Sequence, residues 1–211
     1  MDSKLVLALD IFDTDFALDL AEKVGKELFA IKINWPITMV KGASIISELS
    51  EFSPVICDYK VADIPNTNTL IARRAAEMGA WGIVSHSITG KDSLEAVAGV
   101  SEDLKVFAVV AMSHPGASEF IYPNTDSLIQ MAQEVGVYGL IAPGNDYRML
   151  SHIKEKAGPL KVMTPGVGAQ GGSAAEAVRH GSDLVVVGRA IYDSEDPVSE
   201  VRKFNQDISK A

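Results

Sequence analysis

Pro54-Val55-Ile56-Cys57-Asp58-Tyr59-Lys60-Val61-Ala62-Asp63-Ile64-Pro65 runs from an apolar segment into charged residues and then into a proline-marked helix start. The apolar part is continuous rather than alternating, as expected of a parallel strand buried on both faces. The same pattern recurs along the chain, with apolar runs at 5–9, 29–33, 54–57, 82–84, 106–110, 138–142, 160–163 and 184–187, eight in all. Between the runs lie segments with helical spacing. Ala17, Leu20, Ala21 and Val24 share one helical face, as do Ile45, Ile46 and Leu49, and Leu128, Met131, Ala132 and Val135. Eight strand–helix units fit either a closed barrel or a long doubly wound sheet. The spacing is regular and no run leads into a Gly-x-Gly-x-x-Gly turn, which favours the barrel. The expectation is therefore an α/β fold, a (β/α)8 TIM barrel formed by residues 1–211 as a single domain.

The polar residues cluster at one end of the runs. Asp10 closes the first, Lys32 lies at the end of the second, and Asp58 and Lys60 follow the third. His86, then Ser113 and His114, then Pro143-Gly144, Thr164-Pro165-Gly166 and Gly188-Arg189 follow the remaining five. All are carboxyl ends, and in a β/α barrel these ends form the rim on which active sites are built. Ordinary polar turns explain one or two such positions. They explain less well a lysine set between Ile31 and Ile33.

Alternation along a strand sends Asp58 and Lys60 to one side and Cys57 and Tyr59 to the other. An ammonium held between carboxylates stays protonated and fixed in place, as a positioned proton donor must be. An isolated Asp-x-Lys-x-x-Asp is equally a local ion pair followed by helix-start punctuation. It becomes specific only if Lys32 and Asp10 on neighbouring strands extend it into an alternating network. Further on, Pro165-Gly166-Val167-Gly168-Ala169-Gln170-Gly171-Gly172 holds four glycines in eight residues. Such a loop brings backbone N–H groups close to a phosphate. Gly188-Arg189 opens the last strand's helix, where free N–H groups and a bidentate guanidinium favour an anion. Barrel phosphate sites use these two loops. Ser113, in Met112-Ser113-His114-Pro115-Gly116-Ala117, offers a hydroxyl to a ring carbonyl or imide.

Composition narrows the classes. The net charge is −9, from 19 basic and 28 acidic residues, which disfavours general nucleic-acid binding. A small anion can still bind where a few local charges oppose the global field. Cys57 is the only cysteine, so neither an intrachain disulfide nor a cysteine metal cluster can form. Alternation turns it toward the helices. Met1-Asp2-Ser3-Lys4 leads directly into the first strand without the features of a signal peptide, and no apolar run reaches membrane-spanning length; a cytoplasmic enzyme without membrane contact is expected. His152 and His180 are expected on helix surfaces, Trp81 in packing, and Met39, Met78 and Met131 as core filler. A metal held by His86, His114 and Asp58 is conceivable chemically, but no ligand-spacing motif supports it.

Together these motifs resemble the orotidine 5′-monophosphate decarboxylases, particularly their archaeal branch, over nearly the whole chain. The Asp58–Pro65 stretch is shared with related sugar-phosphate enzymes, whereas 112–117, 165–172 and Val187-Gly188-Arg189-Ala190-Ile191-Tyr192 are more selective. The resemblance implies a lyase of UMP biosynthesis that converts orotidylate to UMP and CO2 with no metal or cofactor. It also implies a homodimer with shared sites. Lys60 would protonate C6 of the pyrimidine, and Asp58 would lie beside the substrate carboxylate. Asp10 and Lys32 would contact the ribose and extend the charge network. Asp63 and Thr67 would reach into the neighbouring subunit's site. Ser113 and Gln170 would hold the pyrimidine, with Pro165 in the loop beside it, and Gln170, Gly188 and Arg189 would grip the phosphate. Asn34 stands where relatives often carry glycine, Trp35 where tyrosine is usual, and His86-Ser87 where His-Gly is common. The nearest competing readings are a metal-dependent sugar-phosphate enzyme of the same superfamily, a ribulose-phosphate epimerase and a non-catalytic nucleotide-binding barrel.

Overall fold

The computed structural model describes residues 3–168 and 171–211. Eight parallel strands close on themselves in chain order, with β1 paired to both β2 and β8. They are β1 (Leu5–Leu9), β2 (Ala30–Ile33), β3 (Val55–Val61), β4 (Gly82–His86), β5 (Lys105–Val109), β6 (Gly139–Ile141), β7 (Lys161–Thr164) and β8 (Leu184–Val187). Every expected run carries a strand. The main extension is in β3, which continues through the charged residues to Val61.

Eleven α-helices are described: α1 (Thr14–Val24), α2 (Trp35–Lys41), α3 (Ser44–Ser50), α4 (Pro65–Glu77), α5 (Lys91–Ala98), α6 (Ala117–Phe120), α7 (Thr125–Val135), α8 (Tyr147–Lys156), α9 (Ala174–Arg179), α10 (Arg189–Tyr192) and α11 (Pro197–Ser209). Several are only one or two turns long, which is how a short chain completes the barrel. Their starts follow local chemistry. Asp13, Asp146 and Asp196 each accept a main-chain N–H three residues on, at 3.0 Å. No helix among the described residues is long and apolar enough to cross a membrane.

The core divides into two layers that follow strand alternation. Leu5, Leu7 and Leu9 face the helices, whereas Val6 and Ala8 point into the barrel with Ile56, Val84, Phe107, Val109, Met163 and Val186. Lys32 pairs in register with Ala8 and Ile56, so β2 delivers a lysine to a position that its neighbours fill with apolar groups. Cys57 lies in the helix-facing layer, fully buried, and burial pushes its thiol up to about 12. Trp81 meets Phe29 and Tyr138 edge to face at 5.3 and 5.4 Å, a packing role as expected. Met39 departs from expectation. It is 79% exposed on α2, whose inward face is occupied by Ile37. Helical spacing marks an apolar residue but not which side of a short helix faces the core.

Candidate active site

The carboxyl ends of the strands enclose a cavity of about 430 Å³. Asp10, Lys32, Asp58, Lys60, Ser113, Pro165, Gly188 and Arg189 all line it, so most of the residues selected from sequence converge on one space. Asn34, Met112, His114, Ile141, Met163 and Tyr192 complete much of the wall.

At its base the charges alternate. The Asp58 carboxylate accepts from Lys60 through Oδ1 at 2.8 Å and pairs with Lys32 through Oδ2 at 2.9 Å. Lys32 also reaches Asp10 at 3.4 Å. Lys32 is only 5% exposed and Asp58 8%. Burial alone would depress the Lys32 amine, but Asp58 and Asp10 outweigh it and hold it above its ordinary value. Burial likewise opposes the charge on Asp58, yet Lys32 and Lys60 keep its carboxyl below the usual carboxylate range. Both groups are therefore charged throughout the neutral range. The Lys60 side chain is 39% exposed, and the residue lines the cavity.

The route by which Lys60 arrives there differs from plain alternation. Register along β3 and β4 moves from Cys57 opposite Ile83 to Val61 opposite Ser85, so β3 takes four residue steps where β4 takes two. Lys60 sits in this bulge with φ 45°, the one positive-φ residue other than glycine among those described. A side chain in the left-handed region is strained, and such strain gathers at functional sites. The buried Ser85 hydroxyl donates to the Val61 carbonyl at 3.0 Å and ties the far side of the bulge to β4. On the outer face, Trp35 stacks on Tyr59 at 4.6 Å, and its Nε1 donates to the Tyr59 carbonyl at 3.2 Å. The bulge is thus held from both sides.

The opposite wall comes from the loops after β7 and β8. Gly168 has φ 79°, and a Cβ there would lie 2.9 Å from the Cβ of Ala190. A Cβ on Gly172 would come within 2.6 Å of the Gly144 carbonyl. Only glycine permits this close folding of the loop over the end of β8. Arg189 is exposed at the rim and makes no ion pair among the described residues. Gln170 lies outside the described residues.

Asp63 and Thr67 do not line their own chain's cavity. Asp63 is exposed just beyond β3, and Thr67 lies in the first turn of α4. Their flank carries exposed apolar side chains on three successive units: Trp35 and Met39, then Ile64 and Leu70, then Ile88. His86 sits at the end of β4, where burial, reinforced by the positive charge of Lys60, holds its imidazole below the ordinary histidine value. No three His, Cys, Asp or Glu side chains converge as a metal set among the described residues.

Asn34 and Tyr192 are wall residues that sequence reasoning did not select. Asn34 occupies the N-cap position of α2 without a side-chain capping bond, and its buried Oδ1 has no hydrogen-bond partner among the described residues. Its position two residues after Lys32 on the same rim was the available signal. Tyr192 closes the selective 187–192 stretch, which was its signal.

Comparison with known proteins accords with this geometry. The profile described as the orotidine 5′-phosphate decarboxylase / HUMPS family matches residues 3–204. An orotidine 5′-phosphate decarboxylase of Thermoplasma acidophilum is 51% identical over 210 residues, covering 100% of this chain and 97% of that protein. Its counterpart from Thermococcus kodakarensis is 46% identical, covering 98% and 97%. The crystal structure of the Methanocaldococcus jannaschii enzyme complexed with the inhibitor BMP superposes with a TM-score of 0.93 at 41% identity, covering 99% of each chain. Barrel, rim cavity and full-length similarity lead to one assignment: the chain belongs to the orotidine 5′-phosphate decarboxylase / HUMPS family.

Proposed function

We propose that the protein decarboxylates orotidine 5′-monophosphate to UMP without metal or organic cofactor, with Lys60 as the proton donor to C6. The observation that carries this reading is the Lys60 ammonium, bound at 2.8 Å to a buried Asp58 and facing the cavity from a strained backbone. Both Asp58 oxygens are engaged by ammonium groups, surroundings that suit a fixed proton donor and oppose a divalent cation. The curated relatives carry the decarboxylase name, which favours this reading over the sugar-phosphate branch of the family.

Breaking the bond from C6 to the carboxylate leaves an electron pair on C6 as CO2 departs. The Lys60 ammonium stabilises that developing charge and then gives it a proton, forming the C6–H bond of UMP. Asp58 holds the donor in place, and Lys32 in turn fixes Asp58. Asp10 and Lys32 serve the ribose, Ser113 the pyrimidine edge beside Pro165, and Gly188 and Arg189 the phosphate. Lys32, Lys60 and Arg189 outnumber Asp10 and Asp58 in the cavity wall, a local positive excess within a chain of net charge −9 that favours an anionic nucleotide. Phosphate contacts remote from the reacting bond contribute binding energy to the chemical step.

The protein acts as a homodimer in this reading, with residues 1–211 as one catalytic domain. Asp63 and Thr67 complete the neighbouring subunit's site, and the exposed apolar flank around them is the surface that the second copy covers.

The test is loss of orotidylate absorbance in excess EDTA. Full turnover is expected. Activity lost to EDTA and restored by Mg²⁺ would refute the metal-free reading, and turnover of a sugar phosphate in place of orotidylate would refute the substrate.

A further inference from the structure

We infer that Asn68 and Ser93 are positioning residues that hold Asp63 in the pose in which it completes the neighbouring subunit's site; the inference rests on the shared-site reading above. Asn68, in the second turn of α4, is 0% exposed, and Ser93 on α5 is buried with it. A buried carboxamide is costly unless its hydrogen bonds are made, and apolar packing between two helices does not call for one. Here one of its bonds goes directly to Asp63 and the others go to Ser93, which itself bonds Asp63. Asn68 Oδ1 accepts from the Asp63 main-chain N–H at 3.0 Å. Its Nδ2 donates to the Ser93 hydroxyl at 2.7 Å and to the Ser93 carbonyl at 3.2 Å. The Ser93 hydroxyl in turn donates to the Asp63 carbonyl.

Both main-chain polar groups of Asp63 are therefore fixed by a buried clamp anchored on two helices. The side chain itself points away from the core. Asp63 is exposed, makes no ion pair among the described residues, and uses one carboxylate oxygen to accept the Ile64 N–H at 2.7 Å. An exposed, unpaired acid needs no such foundation for stability. It needs one if its direction matters, and Asp63 does not line its own chain's cavity. A misplacement of about 1 Å at such a group costs about 100-fold.

Mixed dimers separate action on the neighbouring site from action within the chain. An Asn68→Ala chain is co-expressed with a differently tagged Lys60→Ala chain, and the heterodimer is isolated. One of its sites combines an intact Lys60 with an Asp63 whose clamp is intact. The Asn68→Ala homodimer should lose about 10- to 100-fold in kcat/KM, and the heterodimer should recover about half of the native activity, one of two sites. A heterodimer no more active than the Asn68→Ala homodimer overturns the inference. The matching Asp63→Ala and Lys60→Ala heterodimer tests the shared site itself. If that pair recovers and the Asn68 pair does not, only the clamp's role is lost; if neither recovers, the shared site falls and the inference with it. Ser93→Ala, a smaller change, should show the same recovery in trans should Asn68→Ala fail to fold. In an Asp63→Ala background either clamp variant should cost no further activity, and an additional independent loss would mark a merely structural role.

Discussion

The two ends of the barrel contrast in how they use their interior positions. At the amino end Phe29, Trp81, Phe107 and Tyr138 interlock, with Phe107 and Tyr138 edge to face at 5.3 Å. Backbone is trimmed to admit them: a Cβ at Gly139 would lie 2.9 Å from the Phe107 ring. At the carboxyl end the equivalent interior positions on β2 and β3 carry Lys32 and Asp58, the backbone bulges at Lys60, and Asn34 keeps a buried acceptor unpaired among the described residues. One end maximises burial; the other accepts desolvated charge and strain around Lys60. Barrels of this kind separate stability from chemistry in the same direction.

Lys60→Ala should break that contrast from the reactive side. Turnover should fall by about 10⁴-fold or more, because both the proton and the charge that stabilises the departing electron pair are removed. Binding of UMP should be largely kept, since the proposed phosphate contacts at Gly188 and Arg189 are untouched. Single-turnover assays with titration calorimetry measure both, and near-native turnover would remove Lys60 from its assigned role.

Phe107→Ala should break it from the other side. Removing a fully buried ring should cost about 4 kcal/mol, lowering the melting temperature by roughly 8–16 °C. The kcat and KM of the enzyme that remains folded should stay near native. Thermal unfolding and kinetics on the same preparation decide it, and a large kcat loss at low temperature would show that the two ends are coupled. Arg189→Ala should act more narrowly. Loss of a charge-assisted phosphate contact should raise KM about 10- to 100-fold with little change in melting temperature, because Arg189 is exposed. An unchanged KM would move the phosphate elsewhere.

The sequence carried these two ends unequally. The strands were legible because each is buried on both faces and so reads as an unbroken apolar run. Lys32 was legible because nothing apolar explains a lysine between Ile31 and Ile33. Asp58 and Lys60 were placed on one side by alternation, and their side chains do meet, yet the backbone reaches that outcome through a bulge that no residue announces. The turn would suit glycine, and the lysine there hides it. Met39 was misplaced for a different reason: apolar residues that face the core and apolar residues left exposed on a helix follow the same period. Ile141 and Met163 lie in or at apolar runs, pack in the barrel interior and also form the cavity wall.

The smallest effect sharpens the contrast most. If φ 45° at Lys60 is strain held for function, then between two inactive variants the one with glycine should be the more stable. Alanine keeps the Cβ that crowds the backbone in the left-handed region, at about 1–2 kcal/mol, whereas glycine removes it. Glycine also gains freedom in the unfolded chain, which offsets the advantage by about 0.4–1 kcal/mol. Lys60→Gly should therefore exceed Lys60→Ala by about 0.5–1 kcal/mol in urea unfolding, although glycine is the weaker residue in an ordinary strand. Both variants lack the ammonium, so loss of the Asp58 ion pair cancels from the comparison. Lys60→Ala proving the more stable would mean that the bulge relaxes once the lysine is gone, and that the ion pair, rather than the fold around it, bends the strand.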